Sequence, residues 1–143
     1  MFDQITGLPV HALVIHGVVV LLPLMAALTV AAVVRPGLRD RFAWWVTAAN
    51  AAVFAMTLVA RESGEALQKR LGGQVAIDHG NLGSLLPLFA LFLVVTSASV
   101  AATRRNRAFG PVAVVVTIIA AVASLIWTVR VGDSGARAVW EGR

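Results

Sequence analysis

Three histidines and two acid-Ser-Gly triplets carry the chemistry open to this chain. His16-Gly17 is followed, after three residues, by Leu21-Leu22-Pro23-Leu24, and His79-Gly80 is followed, after four, by Leu85-Leu86-Pro87-Leu88. Each copy closes on an acid: Glu62-Ser63-Gly64 in the first, Asp133-Ser134-Gly135 in the second. A repeat that faces His16 and His79 across an axis makes a pair of imidazoles, the protein donor set of a b-type haem or of a shared ion. Adding Glu62 and Asp133 gives a mixed nitrogen and oxygen set suited to a transition metal ion such as zinc, copper or iron. His11 lies five residues before His16, which is about 140° round a helix. It therefore reads as a partner at the edge of a cofactor, without a counterpart in the second copy. Arg61 and Arg130 are candidates for the haem propionates, and with Arg137 they offer charge balance for the two acids.

Each of these residues also has a plainer reading. An imidazole in a membrane helix can hydrogen-bond a neighbouring carbonyl and do nothing more. Ser-Gly reads as a helix C-cap, with Gly64 and Gly135 left-handed and the acids solvated. Recurrence is what favours the sharper reading, because polar residues that a bilayer tends to exclude return at matching places.

The elements that position these side chains follow from composition. Of the 143 residues 59% are apolar and 13% charged, with a mean hydropathy of +0.84, which leaves too little polar surface to cover a soluble domain. Apolar runs at 10–34, 42–60, 82–103 and 111–129 are each close to the roughly 20 residues that span about 30 Å of hydrocarbon. The expected fold is all-α: a four-transmembrane-helix bundle built from two tandem helical hairpins, about 8–64 and 76–135, with pseudo-two-fold symmetry. It forms a single integral membrane domain with no separate soluble catalytic part. Helix three is expected to begin near Ala76, with Asp78 in its first turn. The first span is longer than a signal sequence and is preceded by Asp3 instead of a basic segment, so it is expected to stay in the mature chain.

Within the spans, Pro23 and Pro87 each remove a helix hydrogen bond and are expected to bend the chain. Gly17, Gly80 and Gly83 permit close helix contact or the approach of a flat macrocycle. Asn50, Thr47, Thr96, Ser97, Ser99, Thr117 and Ser124 read as interhelical hydrogen-bonding residues, and Trp44, Trp45 and Trp127 as interfacial anchors. Residues 65–71 read as an amphipathic extension lying on the outer surface.

Charge sets the orientation. Arg35, Arg39, Arg41, Arg104, Arg105 and Arg107 crowd two short turns that hold one acid, Asp40. Those turns are expected to be cytoplasmic, which puts both termini and every histidine on the outer side of the cell membrane. The net charge of +5 is thus topological, and no nucleic-acid partner is implied. The absence of cysteine excludes disulfides, thiolate metal sites and attached c-type haem.

The head Phe2-Asp3-Gln4-Ile5-Thr6-Gly7-Leu8-Pro9-Val10-His11, the next histidine at His16, Ser63-Gly64-Glu65 and the terminal Gly132-Asp133-Ser134-Gly135-Ala136 resemble the four-helix membrane proteins of domain-of-unknown-function family 2231. The resemblance covers nearly the whole chain, and its most specific element is the opening Leu-Pro-x-His-x4-His. It implies kinship with two-haem membrane b cytochromes, some members being fused to Rieske iron-sulfur domains. Carried over to this chain, the family histidines are His11, His16 and His79. A common family form has His before the terminal Ser-Gly, where this chain has Asp133.

Three functions stand after this reading. The first is electron transfer through one b-type haem held by His16 and His79, with a redox partner protein. The second is binding of a metal ion through His16, His79, Glu62 and Asp133. The third is an accessory subunit or small transporter with no cofactor. Enzymatic activity and homo-oligomerisation are left open.

Overall fold

The computed structural model describes residues 4–5, 8–72, 76–106 and 108–140. Two short strands, β1 (Gln4–Ile5) and β2 (Leu8–Pro9), pair antiparallel with Ile5 opposite Leu8, ahead of the helices. Then come α1 (Val10–Val34), α2 (Pro36–Arg70), α3 (Ile77–Ser84), α4 (Leu86–Thr103) and α5 (Phe109–Trp140). Counting α3 with α4, the described residues contain four helical spans long and apolar enough to cross a membrane. Around the bundle α1 packs on α2, α2 on α4, α4 on α5 and α5 on α1, so α1 and α4 are diagonal.

The ends of the helices depart from the sequence reading in instructive ways. Only Arg35 separates α1 from α2, because Pro36 starts the second helix at a position where the missing N–H costs nothing. Arg39 and Arg41 therefore lie on the first turns of α2; Arg107 is outside the described residues. Ala76, with φ 54°, is the N-cap of α3, close to where the sequence put the start. The two prolines differ. Pro23 is carried inside a continuous α1, whereas Pro87 opens α4 after a break at Leu85. At that break Leu82 O accepts the backbone N–H of Leu85 at 3.3 Å and the indole N–H of Trp127 at 3.0 Å. Trp127 also stacks on Phe89 with centroids 4.6 Å apart. The tryptophan therefore ties α5 to the break between α3 and α4, a role beyond an interfacial anchor.

The expected C-caps are not present. α2 runs six residues past Gly64 and α5 five past Gly135, so both glycines are helix-interior. Residues 65–70 continue α2 instead of lying on the membrane surface, and they pack towards α3, with Gln68 beside Gly80. At about 1.5 Å per residue, 35 residues of α2 reach roughly 52 Å, well beyond a hydrocarbon core.

The core is built from small and β-branched residues, with Leu22, Leu93, Val18 and Val131 among its most deeply buried side chains. At its centre Asn50, 2% exposed, donates from Nδ2 to Thr29 Oγ1 on α1 at 3.0 Å and to Ser97 Oγ on α4 at 3.3 Å. One amide thus joins three helices, as its polar type in an apolar run suggested. Its Oδ1 is buried without a hydrogen-bond partner. Asn50→Ala is expected to cost about 1 kcal/mol in detergent unfolding, since interhelical polar bonds in membranes are worth about 0.6 kcal/mol each. A loss several times larger would mean that Asn50 binds something besides Thr29 and Ser97.

Candidate functional site

The structure brings His11 and His79 together, and leaves His16 out. The His11 and His79 ring centroids are 6.3 Å apart with planes at 73°, on α1 and α3 at one end of the bundle. His16 is exposed, and its Nδ1 bonds Ala12 O on the preceding turn of the same helix. His11, read from the sequence as a partner at the edge of a cofactor, is thus the residue seen facing His79, while His16 is seen bonded to its own helix.

Each facing imidazole sits in the same kind of seat. His11 Nδ1 is 2.9 Å from Ala60 O on α2 and 3.5 Å from Ser63 Oγ. His79 Nδ1 is 3.1 Å from Val131 O on α5 and 3.2 Å from Ser134 Oγ. A carbonyl oxygen only accepts, so in each neutral ring Nδ1 carries the proton and Nε2 keeps its lone pair. The serines hold their own oxygens in place: Ser63 donates to Val59 O at 2.7 Å, and Ser134 to Val131 O at 2.8 Å. This orientation, with Nδ1–H on a carbonyl and Nε2 available, is the one that metal-ligating histidines adopt.

The glycines explain themselves once the rings are placed. A Cβ on Gly64 would lie 2.9 Å from His11 Cε1, and one on Gly135 would lie 3.0 Å from His79 Cε1. Ser-Gly recurs because the serine hydroxyl backs the imidazole and the glycine admits it, with no helix end involved. Gly17 has the packing role instead, since a Cβ there would meet Met56 Cε at 2.8 Å.

The acids are not part of this seat. Glu62 and Asp133 are exposed, and Asp133 accepts from Arg137 Nε at 2.9 Å along its own helix. Arg61 pairs with Glu65 at 2.9 Å, and Arg130 lies over the Trp127 ring at 5.4 Å. Among the described residues no group of three or more His, Cys, Asp or Glu side chains converges as a metal site. The four-residue set of His16, His79, Glu62 and Asp133 is thus not assembled. Arg61 and Arg130 do stand next in sequence to Ala60 and Val131, whose carbonyls hold the two rings.

Residues 7–143 match a family described as predicted membrane protein, DUF2231. The chain belongs to that family. No curated protein and no solved structure matches the chain. The match makes this DUF2231 member a membrane protein, and its four apolar helical spans agree.

One signal for the His11–His79 pair was present in the sequence. The second copy carries an extra residue between His-Gly and Leu-Leu-Pro, so aligning the Leu-Leu-Pro runs sets His79 against Ile15. His11 is one helical turn before Ile15 and on nearly the same face, while His16 is about 100° away.

Proposed function

We propose that this protein is a membrane electron carrier that holds one b-type haem between His11 and His79. The observation that carries the reading is the facing pair itself. Two imidazoles that share one iron through Nε2, with metal–nitrogen bonds of about 2.0 Å, have ring centroids about 6 Å apart, and these centroids are 6.3 Å apart. A haem asks for only two protein ligands because its macrocycle supplies four, whereas a bare ion asks the protein for most of a coordination shell. When bound, the haem would supply reversible one-electron redox chemistry. The chain's own residues do the rest. Ala60 O and Val131 O fix the tautomer, Ser63 and Ser134 back the rings, and Gly64 and Gly135 give them room. Arg61 and Arg130 stand at the same level, suited to carboxylate groups at the edge of a cofactor.

The two seats also support a pseudo-two-fold relation between the hairpins. His11 and His79 differ by 68 positions, as do the buried pairs Val18 and Leu86, Met25 and Leu93, and Thr29 and Ser97. Ala60 and Val131, Ser63 and Ser134, and Gly64 and Gly135 all differ by 71.

The test is an optical spectrum of the detergent-purified protein, expressed with haem supplied. A Soret band that shifts on dithionite reduction, with about one haem per chain, is the expected result. A colourless protein containing stoichiometric metal would replace haem by an ion, and a protein with neither would leave an accessory subunit. The arginine-rich turns orient the site on the outer face of the cell membrane. Reporter fusions at Gly37 and Asn106 are therefore both expected to read as cytoplasmic, and an external signal from either would reverse the orientation.

A further inference from the structure

The second hairpin carries a groove between α4 and α5. Thr96, Ser99 and Thr103 on α4 face Phe109, Val112, Ala113 and Val116 on α5 around about 270 Å³ of open space. Three of these side chains carry hydroxyls, yet the wall they make is apolar. Thr96 donates to Phe92 O, Ser99 to Val95 O at 2.9 Å and Thr103 to Ser99 O at 2.6 Å, so each hydroxyl is turned back onto its own helix. What remains for an occupant is methyl, methylene and aromatic surface.

The lining differs between the two hairpins. At offsets of 68 on the first helix and 71 on the second, the first hairpin has Leu28 for Thr96, Phe42 for Ala113 and Trp45 for Val116. At these three positions the first hairpin carries the larger side chain, while Ala31 and Leu38 stand for Ser99 and Phe109. Thr103, at the α4 end of the groove, is followed by Arg104, Arg105 and Asn106, with no acid among them. Arg105 is exposed, and Arg104 Nη1 bonds Ala101 O, which holds that guanidinium against the end of α4.

We infer that this groove binds one acyl chain of an anionic phospholipid, whose phosphate is met by Arg104 and Arg105. An apolar slot whose last α4 residue, Thr103, is followed directly by two arginines is complementary to a lipid with an anionic headgroup, and a juxtamembrane arginine near the surface favours such lipids over zwitterionic ones. The site is at the opposite end of α4 from the histidine pair, and the inference does not depend on the cofactor.

The test uses the full chain in vesicles of equal phosphatidylglycerol and phosphatidylcholine, with retained lipid read by native mass spectrometry after mild solubilisation. Phosphatidylglycerol is expected to be enriched severalfold over phosphatidylcholine. Arg104→Gln with Arg105→Gln should bring the ratio to about one, and Ala113→Phe, which copies the first hairpin, should lower it comparably with the arginines intact. Should Ala113→Phe fail to fold, Val116→Trp at the groove's rim reads the same property. A ratio near one in the unaltered protein overturns the site. So does enrichment that survives the groove variant, because the arginines alone would then account for it.

Discussion

Exchanging His79 for Ala is expected to abolish the low-spin b-type spectrum, and His11→Ala to do the same, while His16→Ala leaves it unchanged. The reason is geometric. Only His11 and His79 face each other with Nε2 available, and removing either leaves an iron with a single protein ligand. His16 is exposed and bonded to its own helix, so its removal takes nothing from the pair. Alanine suits helix interiors, so the comparison reads ligation and not helix loss. A second readout is thermal stability with and without added haem, because a ligand that binds only the folded state raises its stability by mass action. That rise should vanish in the His11 and His79 variants and persist in the His16 variant. A spectrum retained by His11→Ala, or lost equally in all three, would end the paired-imidazole reading.

How much of this was legible beforehand depends on what each signal measures. Apolar runs report transfer into hydrocarbon, and they placed α1 at its observed bounds, 10–34, as well as the four-span architecture. They say little about where a helix stops once it leaves the bilayer. α2 and α5 outrun the apolar stretches because charged residues such as Arg61, Glu65 and Arg137 are good helix formers or pair one turn apart. Register was the harder matter. Slipping one hairpin against the other by four residues is about one helical turn, so Leu22 can be aligned with Leu86 or with Ala90 while the apolar face stays almost fixed. The Leu-Leu-Pro motif favours the first alignment, and the buried faces and the histidine seats follow the second. Proline misled because its two copies do different work: Pro87 opens a new helix and Pro23 lies inside one. Ser-Gly misled for a related reason. The same dipeptide that ends a helix when glycine turns left-handed also opens a helix surface when it does not, and only the ring lying on Gly64 or Gly135 separates the two.

Gly64→Ala and Gly135→Ala convert that distinction into opposite signs. As an interior helix residue, glycine is about 1 kcal/mol less favourable than alanine, so a glycine serving no other purpose would gain stability on substitution. Here the added methyl would sit 2.9 Å from His11 Cε1 or 3.0 Å from His79 Cε1, inside ordinary contact distance. Neither ring can simply swing aside, because its Nδ1 is held by Ala60 O in one case and by Val131 O and Ser134 in the other. Relief comes only by lengthening those hydrogen bonds, which releases each ring from the orientation that its carbonyl sets. Cofactor affinity is therefore expected to fall about 10- to 100-fold, the range typical of losing a group that orients a ligand. Titration of haem into the apoprotein measures that fall directly, and unfolding of the apoprotein measures the helix term separately. A cofactor-free protein that gains none of the stability expected of glycine to alanine in a helix, and binds haem more weakly, is the expected pattern. If affinity is unchanged while stability rises, the glycines are incidental and the imidazole seats do not set the distance between the two rings.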